Sequence, residues 1–266
     1  MELLNLGAIA AFLCYWTAMF AVITRLFHND GPHMPTVLRF GCIALIFHSL
    51  MIYYLLFNQQ QINFSLPNVV SLVSFVIALS ITMIAFRFKV NLLIPVTYGF
   101  AGLWQLILFL LPKGPHIPLI AGKIEVVSHI TLALVAYCIL VIASLYAFQV
   151  SYINLKLKEK KISAVNHLPP LMQVENQLFI LLLIGTVFLF VSQLTGFAFL
   201  DNFLAKSNAH KTVFSLIALI MYIIILWGHY RNGWRGHRVL LMTNVATLLL
   251  TLGYFGSRFV KEFLLS

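Results

Sequence analysis

The sequence predicts an all-α membrane protein, folded as a bundle of about eight transmembrane helices. Three observations lead to this fold class. Hydrophobic residues make up 61% of the 266 residues and charged residues only 9%, whereas soluble domains carry roughly 25% charge. The apolar stretches are each close to the ~20 residues that cross a bilayer. No polar stretch is long enough to fold separately, so residues 1–266 are predicted to form a single integral-membrane domain.

The spans follow one another with short connections. Glu2 precedes the first span and Arg25 follows it, the reverse of the charges around a secretory signal peptide, so we interpret this span as a helix of the folded protein. Pro95 falls in the first turn of the fourth span, where its missing N–H costs little. The longest polar segment, 154–176, separates the fifth and sixth spans. The predicted spans are residues 4–27, 37–57, 66–86, 92–111, 126–150, 177–200, 212–230 and 239–263.

The basic residues predict an orientation. Eleven Lys and Arg residues lie in or beside the first, third, fifth and seventh loops, and six lie on the opposite side. Because the more basic side of a membrane protein is normally cytoplasmic, both termini are expected outside, on the periplasmic side. The same rule accounts for most of the net charge of +10. The lipid bilayer is therefore the partner that composition predicts, and no nucleic acid is needed.

Small residues form a seam along the fifth span. They recur at intervals of three and four, which places them on one helix face. The seam consists of His129, Ala133, Ala136, Leu140, Ala143 and Ala147, and the sixth span repeats the pattern with Gly185, Ser192 and Gly196. Such seams let helices approach closely in lipid, so we predict helix–helix packing here. A flat ligand lying against one end of the seam is the alternative.

Three histidines are the candidate functional residues. His48 is near the middle of the second span, His129 lies about four residues inside the fifth and His229 ends the seventh. An imidazole is costly in lipid unless it faces protein, water or a metal, so each is a functional hypothesis. The alternative for each is a neutral ring hydrogen-bonded between helices. His129 and His229 are expected at opposite faces, and His48 and His129 differ by roughly 9 Å in depth.

Haem is the cofactor that these residues favour, since it requires one or two axial imidazoles, an apolar slot and basic groups for its propionates. The outer loops supply Lys113, Lys123, Lys206 and Lys211. A zinc site is a poorer match, because HExxH, CxxC and a carboxylate cluster are all missing from the sequence. It also lacks a nucleophile elbow and a phosphate-binding glycine loop, so the protein is predicted to be non-enzymatic.

Several segments resemble a known group of membrane proteins. They are Ser128 to Tyr137, Leu226 to Gly236, Pro169 to Met172 and Leu252 to Arg258. With these segments the chain resembles the cytochrome c assembly protein family of CcsA/CcmC-like haem-handling membrane proteins, most closely its YpjD-type inner-membrane branch. The likeness to that branch covers nearly the whole chain, and the likeness to the wider family covers about residues 125–260.

The resemblance implies a multi-pass protein of the bacterial inner membrane that binds or handles haem during cytochrome c maturation. In the wider family the counterpart of His129 is an outer-face axial ligand, and the haem is offered to an apocytochrome c or another assembly protein. His48 is a candidate for a second axial ligand, and His229 is a weaker candidate. Two features depart from the family. Residues 197–211 hold no Trp where a Trp-rich platform is expected, and residues 258–263 hold no second external histidine.

Two other readings stay open. The bundle could be a membrane scaffold or regulator, acting on haem metabolism or on a neighbouring membrane complex, that has lost haem delivery; the missing Trp platform favours this. A small-molecule transporter would need several polar groups in a midplane cavity. Within the spans the sequence offers little beyond His48, Gln105 and Gln193 for that purpose.

Overall fold

The computed structural model describes residues 2–26, 28, 31–57, 65–110, 124–160, 168–199 and 209–256. This part of the chain forms eight α-helices followed by one π-helical turn, which confirms the all-α prediction. Each helix is long and apolar enough to cross a membrane, the eighth together with the π-turn. The helices are α1 (Glu2–Ile23), α2 (Met34–Phe57), α3 (Leu66–Ala85), α4 (Leu93–Leu110), α5 (Ile124–Lys158), α6 (Leu171–Phe199), α7 (Ala209–Asn232) and α8 (His237–Thr251), and the π-turn is Leu252–Gly256.

Two helices extend well beyond their predicted spans, whereas α1 ends at Ile23, four residues before the predicted limit at residue 27. α5 runs to Lys158 rather than to residue 150, and α6 begins at Leu171 rather than at residue 177. With 35 residues, α5 is about 50 Å long at 1.5 Å per residue. Hydropathy reports where a helix meets lipid, but Lys, Glu, Gln and Leu are also strong helix formers in water. The first residues of the polar segment therefore extend α5, and its last residues form the start of α6.

The chain divides into two compact units, residues 1–119 with 156–169 and residues 120–155 with 170–266. In the first unit α1 contacts α2 and α4, and α3 contacts the same two helices, so four helices close a ring. Glycine permits the tightest approach between α1 and α4. A Cβ atom on Gly102 would lie 2.7 Å from Trp16 Cδ1, and one on Gly99 would lie 2.9 Å from Met19 Sδ.

The second unit closes a similar ring from α5 to α8. α7 contacts α6, α8 and the π-turn. Leu140 of α5 packs against Gly185 of α6, where a Cβ atom would meet it at 2.8 Å. α5 also reaches α8, because the Tyr137 and Thr251 hydroxyls lie 3.0 Å apart. The predicted packing seam is thus confirmed in the α5–α6 contact. The prediction that both units form a single domain stays a prediction.

Candidate functional site

His48 lies at the centre of a polar network inside the first unit. Its side chain is fully buried. The Gln105 amide nitrogen lies 2.7 Å from His48 Nε2, and the Ser71 hydroxyl lies 3.1 Å from the same ring nitrogen. His48 Nδ1 lies 3.2 Å from the Tyr15 hydroxyl. These contacts bring together all four helices of the unit, one residue from each.

Nε2 of His48 faces Gln105 and Ser71, and Nδ1 faces Tyr15. In the neutral ring only one nitrogen carries the proton, and the orientation of the Gln105 amide decides which one. Both ring nitrogens are therefore engaged with protein. To bind iron, Nε2 would have to exchange its contacts with Gln105 and Ser71 for the metal. Gln105 Oε1 is buried without a hydrogen-bond partner among the described residues.

Aromatic rings enclose this network. The His48 ring meets Phe75 edge to face with centroids 5.3 Å apart, and Tyr15 lies 5.3 Å from Tyr98. The Tyr98 hydroxyl pairs with Thr82 at 2.7 Å. The polar atoms are thus shielded from lipid, which meets the condition for keeping an imidazole at this depth.

His129 sits near the start of α5 and bonds to α6. Its Nδ1 lies 2.8 Å from the backbone carbonyl of Ser192, which can only accept, so Nδ1 carries the proton. The Ser192 hydroxyl returns a bond to the His129 carbonyl at 3.3 Å. In the neutral ring the lone pair is then on Nε2. An N–H to carbonyl bond of this kind is the usual way in which proteins orient a histidine that ligates a metal.

The end of α6 beyond Ser192, the residue that His129 contacts, carries two exposed phenyl rings and one buried amide. Phe197 and Phe199 are exposed, and Gln193 has a buried Oε1 without a hydrogen-bond partner within the described residues. Lys211 lies in the first turn of α7. Three other lysines expected to serve haem propionates, Lys113, Lys123 and Lys206, lie outside the described residues, as does most of the loop after Phe199.

His229 forms part of a tightly packed corner between α7 and α8. Its ring stacks on Phe179 of α6, with centroids 3.3 Å apart and planes inclined by 15°. Its Nδ1 donates to the Trp234 carbonyl at 3.0 Å. The Trp234 ring in turn covers Gly228 so closely that a Cβ atom there would overlap it. The sequence places His229 at the end of a span but contains no signal for the Phe179 contact.

The corner closes through the backbone and one ion pair. Gly233, with φ of 64°, ends α7 in the left-handed region, and its N–H donates to the His229 carbonyl at 3.0 Å. This is the αL form of helix ending, which favours glycine. Arg235 Nε lies 3.6 Å from Glu175 on α6. The segment from Leu226 to Gly236 is therefore built as a connection between three helices.

The three histidines occupy separate surroundings. Within the second unit, His129 pairs with Ser192 and His229 with Phe179, and these two partners are thirteen residues apart on α6, or about 20 Å. One haem cannot bridge that distance with two axial nitrogens. His48 belongs to the first unit. Across the described residues, no three His, Cys, Asp or Glu side chains gather as a metal site would require.

Fold and site together define a polytopic helical membrane protein with histidines anchored between its helices. The chain belongs to the cytochrome c assembly protein family: the model of the family described as "Cytochrome C assembly protein" matches residues 37–265. It is a multi-pass inner-membrane protein, with eight described helices long and apolar enough to cross a membrane. Over 257 residues it is 35% identical to "Inner membrane protein YpjD" of Escherichia coli strain K12. The aligned region covers 96% of this chain and 97% of that relative.

Two further proteins are similar to this chain. The YpjD protein of Escherichia coli O157:H7 gives the same identity and coverage. An uncharacterized 28.8 kDa protein of Azospirillum brasilense is 30% identical over 141 residues, which span 52% of each chain. No solved structure gives a significant match.

Proposed function

We propose that this membrane protein binds haem as cargo at the His129 end of its second unit and hands it on during cytochrome c maturation. One observation carries the proposal: His129 donates Nδ1–H to the Ser192 carbonyl at 2.8 Å, which leaves the lone pair of the neutral ring on Nε2. That nitrogen has the protonation state that an axial haem ligand requires. Membership of the cytochrome c assembly family supports the choice of haem.

The surroundings of His129 fit a haem in part. Phe197 and Phe199 are exposed at the same end of α6 and offer faces for an apolar ring. α7 runs antiparallel to α6, because its late residue His229 meets the early residue Phe179. Lys211 therefore begins α7 at the end of the unit where His129 lies, as a basic group for a propionate. When bound, haem supplies an iron centre that takes axial imidazoles, and the recipient in this proposal is an apocytochrome c or another assembly protein.

The test is an absorbance spectrum of the full chain purified in detergent from cells supplied with haem. Wild type should show a stoichiometric Soret band, and His129→Gly should lose it because the axial nitrogen is gone. Free imidazole added to His129→Gly should restore the band, which separates loss of a ligand from loss of the fold. His33→Ala is the matched control, since His33 is an exposed histidine of the first unit that bonds Thr36.

The same series tests the other two candidates. A ligating His48 predicts a Soret shift in His48→Gln, whereas a purely structural His48 predicts an unchanged band. His229→Ala should leave the spectrum unchanged, because its Nδ1 and its ring face are used by Trp234 and Phe179. A colourless but folded and monodisperse wild type would contradict the haem proposal.

A scaffold or regulator is the second candidate function. It is favoured by the sequence of residues 197–211, which has Phe at 197, 199 and 203 and no Trp where the resemblance to haem-handling members implies a Trp-rich platform. On this reading the bundle and its histidine contacts serve packing alone. A colourless protein that reproducibly co-purifies with one membrane complex would support it.

A further inference from the structure

Two turns of the first unit enclose a cavity of about 360 Å³. One turn joins α1 to α2, and the other joins α3 to α4. The volume lies within the ~300–1,000 Å³ of small-molecule sites. The lining includes Gly31, Pro32 and Met34 from the first turn and Arg87, Lys89 and Asn91 from the second.

Backbone hydrogen bonds hold both turns in place. Gly31 has a φ of 68° and donates its N–H to the His28 carbonyl at 3.0 Å, a conformation that favours glycine. In the second turn the Phe88 N–H donates to the Ile84 carbonyl at 2.8 Å, and the Val90 carbonyl accepts from the N–H groups of the first two residues of α4. Val90 itself is buried. Residues 86–89 of the second turn are therefore presented at a defined place.

The second turn alternates aromatic and basic side chains. Phe86 is 62% exposed and Phe88 40% exposed, and the basic residues Arg87 and Lys89 beside them are exposed as well. α3 ends at Ala85, so this run begins where the apolar span stops, at the depth of lipid headgroups. Aromatic and basic residues are both favoured there.

The charge of the two turns is positive. Residues 24–36 and 86–92 contain Arg25, Arg87 and Lys89, and Asp30 is their single acidic residue. Asp30 lies outside the described residues. A cavity lined by two cations calls for an anionic group, and phosphate is the anion most abundant at a membrane surface. Exposed phenyl rings flank the cations, which favours a phosphate that carries acyl chains over a free one.

We propose that this cavity binds the phosphate of an anionic phospholipid headgroup, with Arg87 and Lys89 as the contacting cations and Phe86 and Phe88 against the lipid chains. Basic pockets between membrane helices bind such headgroups by charge attraction. The site is separate from His129 and does not depend on haem binding.

The test uses the full chain purified in detergent and measures retained lipid by native mass spectrometry. Wild type is titrated with phosphatidylglycerol and with phosphatidylcholine of the same acyl chains. We expect one phosphatidylglycerol per protein and no saturable phosphatidylcholine. Arg87→Gln/Lys89→Gln should bind about 30-fold more weakly, given the attraction expected for two cations near a lipid surface.

Two variants control for net charge and for folding. Arg231→Gln/Arg238→Gln removes the same charge from exposed residues of the second unit and should bind phosphatidylglycerol like wild type. Arg87→Lys/Lys89→Arg keeps both cations and should bind within about threefold of wild type. Equal weakening in both Gln pairs would overturn the site, because it would show only general charge attraction.

A third arm distinguishes the source of the phosphate. Inorganic phosphate and glycerol 3-phosphate are added in place of lipid, and the melting temperature is recorded. We expect phosphatidylglycerol to raise the melting temperature and both soluble phosphates to leave it unchanged. The contrary result is that inorganic phosphate shifts the melting temperature as much as lipid does, with the shift lost in Arg87→Gln/Lys89→Gln. That result would overturn the lipid assignment in favour of a soluble anion.

Discussion

The imidazole of His229 lies flat on the phenyl ring of Phe179, with ring centroids 3.3 Å apart, and this stack joins the end of α7 to α6. The same imidazole donates to the Trp234 carbonyl, so one side chain links the last turn of α7, the segment that follows it and α6. Within the segment that carries the family resemblance, His229 is therefore engaged in packing between helices.

Loss of the His229 contacts should destabilise the second unit. His229→Ala removes both the stack and the hydrogen bond, together worth roughly 1–3 kcal/mol, and should lower the melting temperature in detergent. Trp234 fluorescence should change as well, because the loop loses its anchor. Phe190→Ala is the control, since Phe190 is an exposed aromatic residue of α6. If both variants have the same melting temperature, the stack contributes nothing measurable to stability.

The His48 network should behave as a unit. His48→Leu leaves the Tyr15 hydroxyl without the ring, while the Gln105 amide and the Ser71 hydroxyl keep each other at 3.2 Å. The cost is about 1–3 kcal/mol for each buried group left unsatisfied. Removing the amide too, in His48→Leu/Gln105→Leu, should recover part of the loss because fewer polar groups remain buried unpaired.

Thermal unfolding of the single variants and the double variant measures this coupling. Ser80→Ala is the matched control, since the Ser80 hydroxyl donates to the Val76 carbonyl of its own helix. Strictly additive losses from His48→Leu and Gln105→Leu would contradict a shared network.

The α5–α6 contact should tolerate no side chain at residue 185. Gly185→Ala places a Cβ atom 2.8 Å from Leu140, so the helices must separate or Leu140 must move, and the melting temperature should fall. Gly185→Ala/Leu140→Ala should restore part of it, since the smaller partner leaves room. Gly7→Ala, whose Cβ would meet its nearest neighbour at 3.5 Å, should be neutral; a similar loss there would indicate a general effect of replacing glycine.

The predicted orientation can be tested with fusions to alkaline phosphatase, which is active only outside the cytoplasm. A fusion after Lys158 should be inactive and one after Ser266 active, because eleven basic residues lie on the first side and six on the second. Expression of both fusions is checked by immunoblot. The reverse pattern would place His129 towards the cytoplasm and remove the topological basis of haem delivery outside.

Most of the fold was predictable because the signal for each span is local. Eight apolar stretches of bilayer length predicted eight helices, and all eight form. The largest errors fall at α5 and α6, which continue into a polar segment that a hydropathy criterion excludes. α1 also ends at Ile23, four residues before its predicted limit. The seam containing Leu140 and the glycine at 185 was also visible in sequence, since small residues at helical spacing predict close packing.

The candidate site was predictable only as a set of residues. The sequence marked His48 and Gln105 as polar groups inside apolar spans, and it marked His129 and Ser192 on separate seams, but nothing in it joined the members of either pair. The structure brings together residues 57 positions apart in one case and 63 in the other.

By itself, then, the sequence determined the number of spans, their approximate limits and the family, because apolar length and short motifs are properties of contiguous residues. Tertiary structure decided what each histidine contacts: Tyr15, Ser71 and Gln105 around His48, the Ser192 carbonyl at His129, and Phe179 under His229. These partners come from other helices, and a hydrogen bond between helices depends on how the helices pack, which no local pattern encodes.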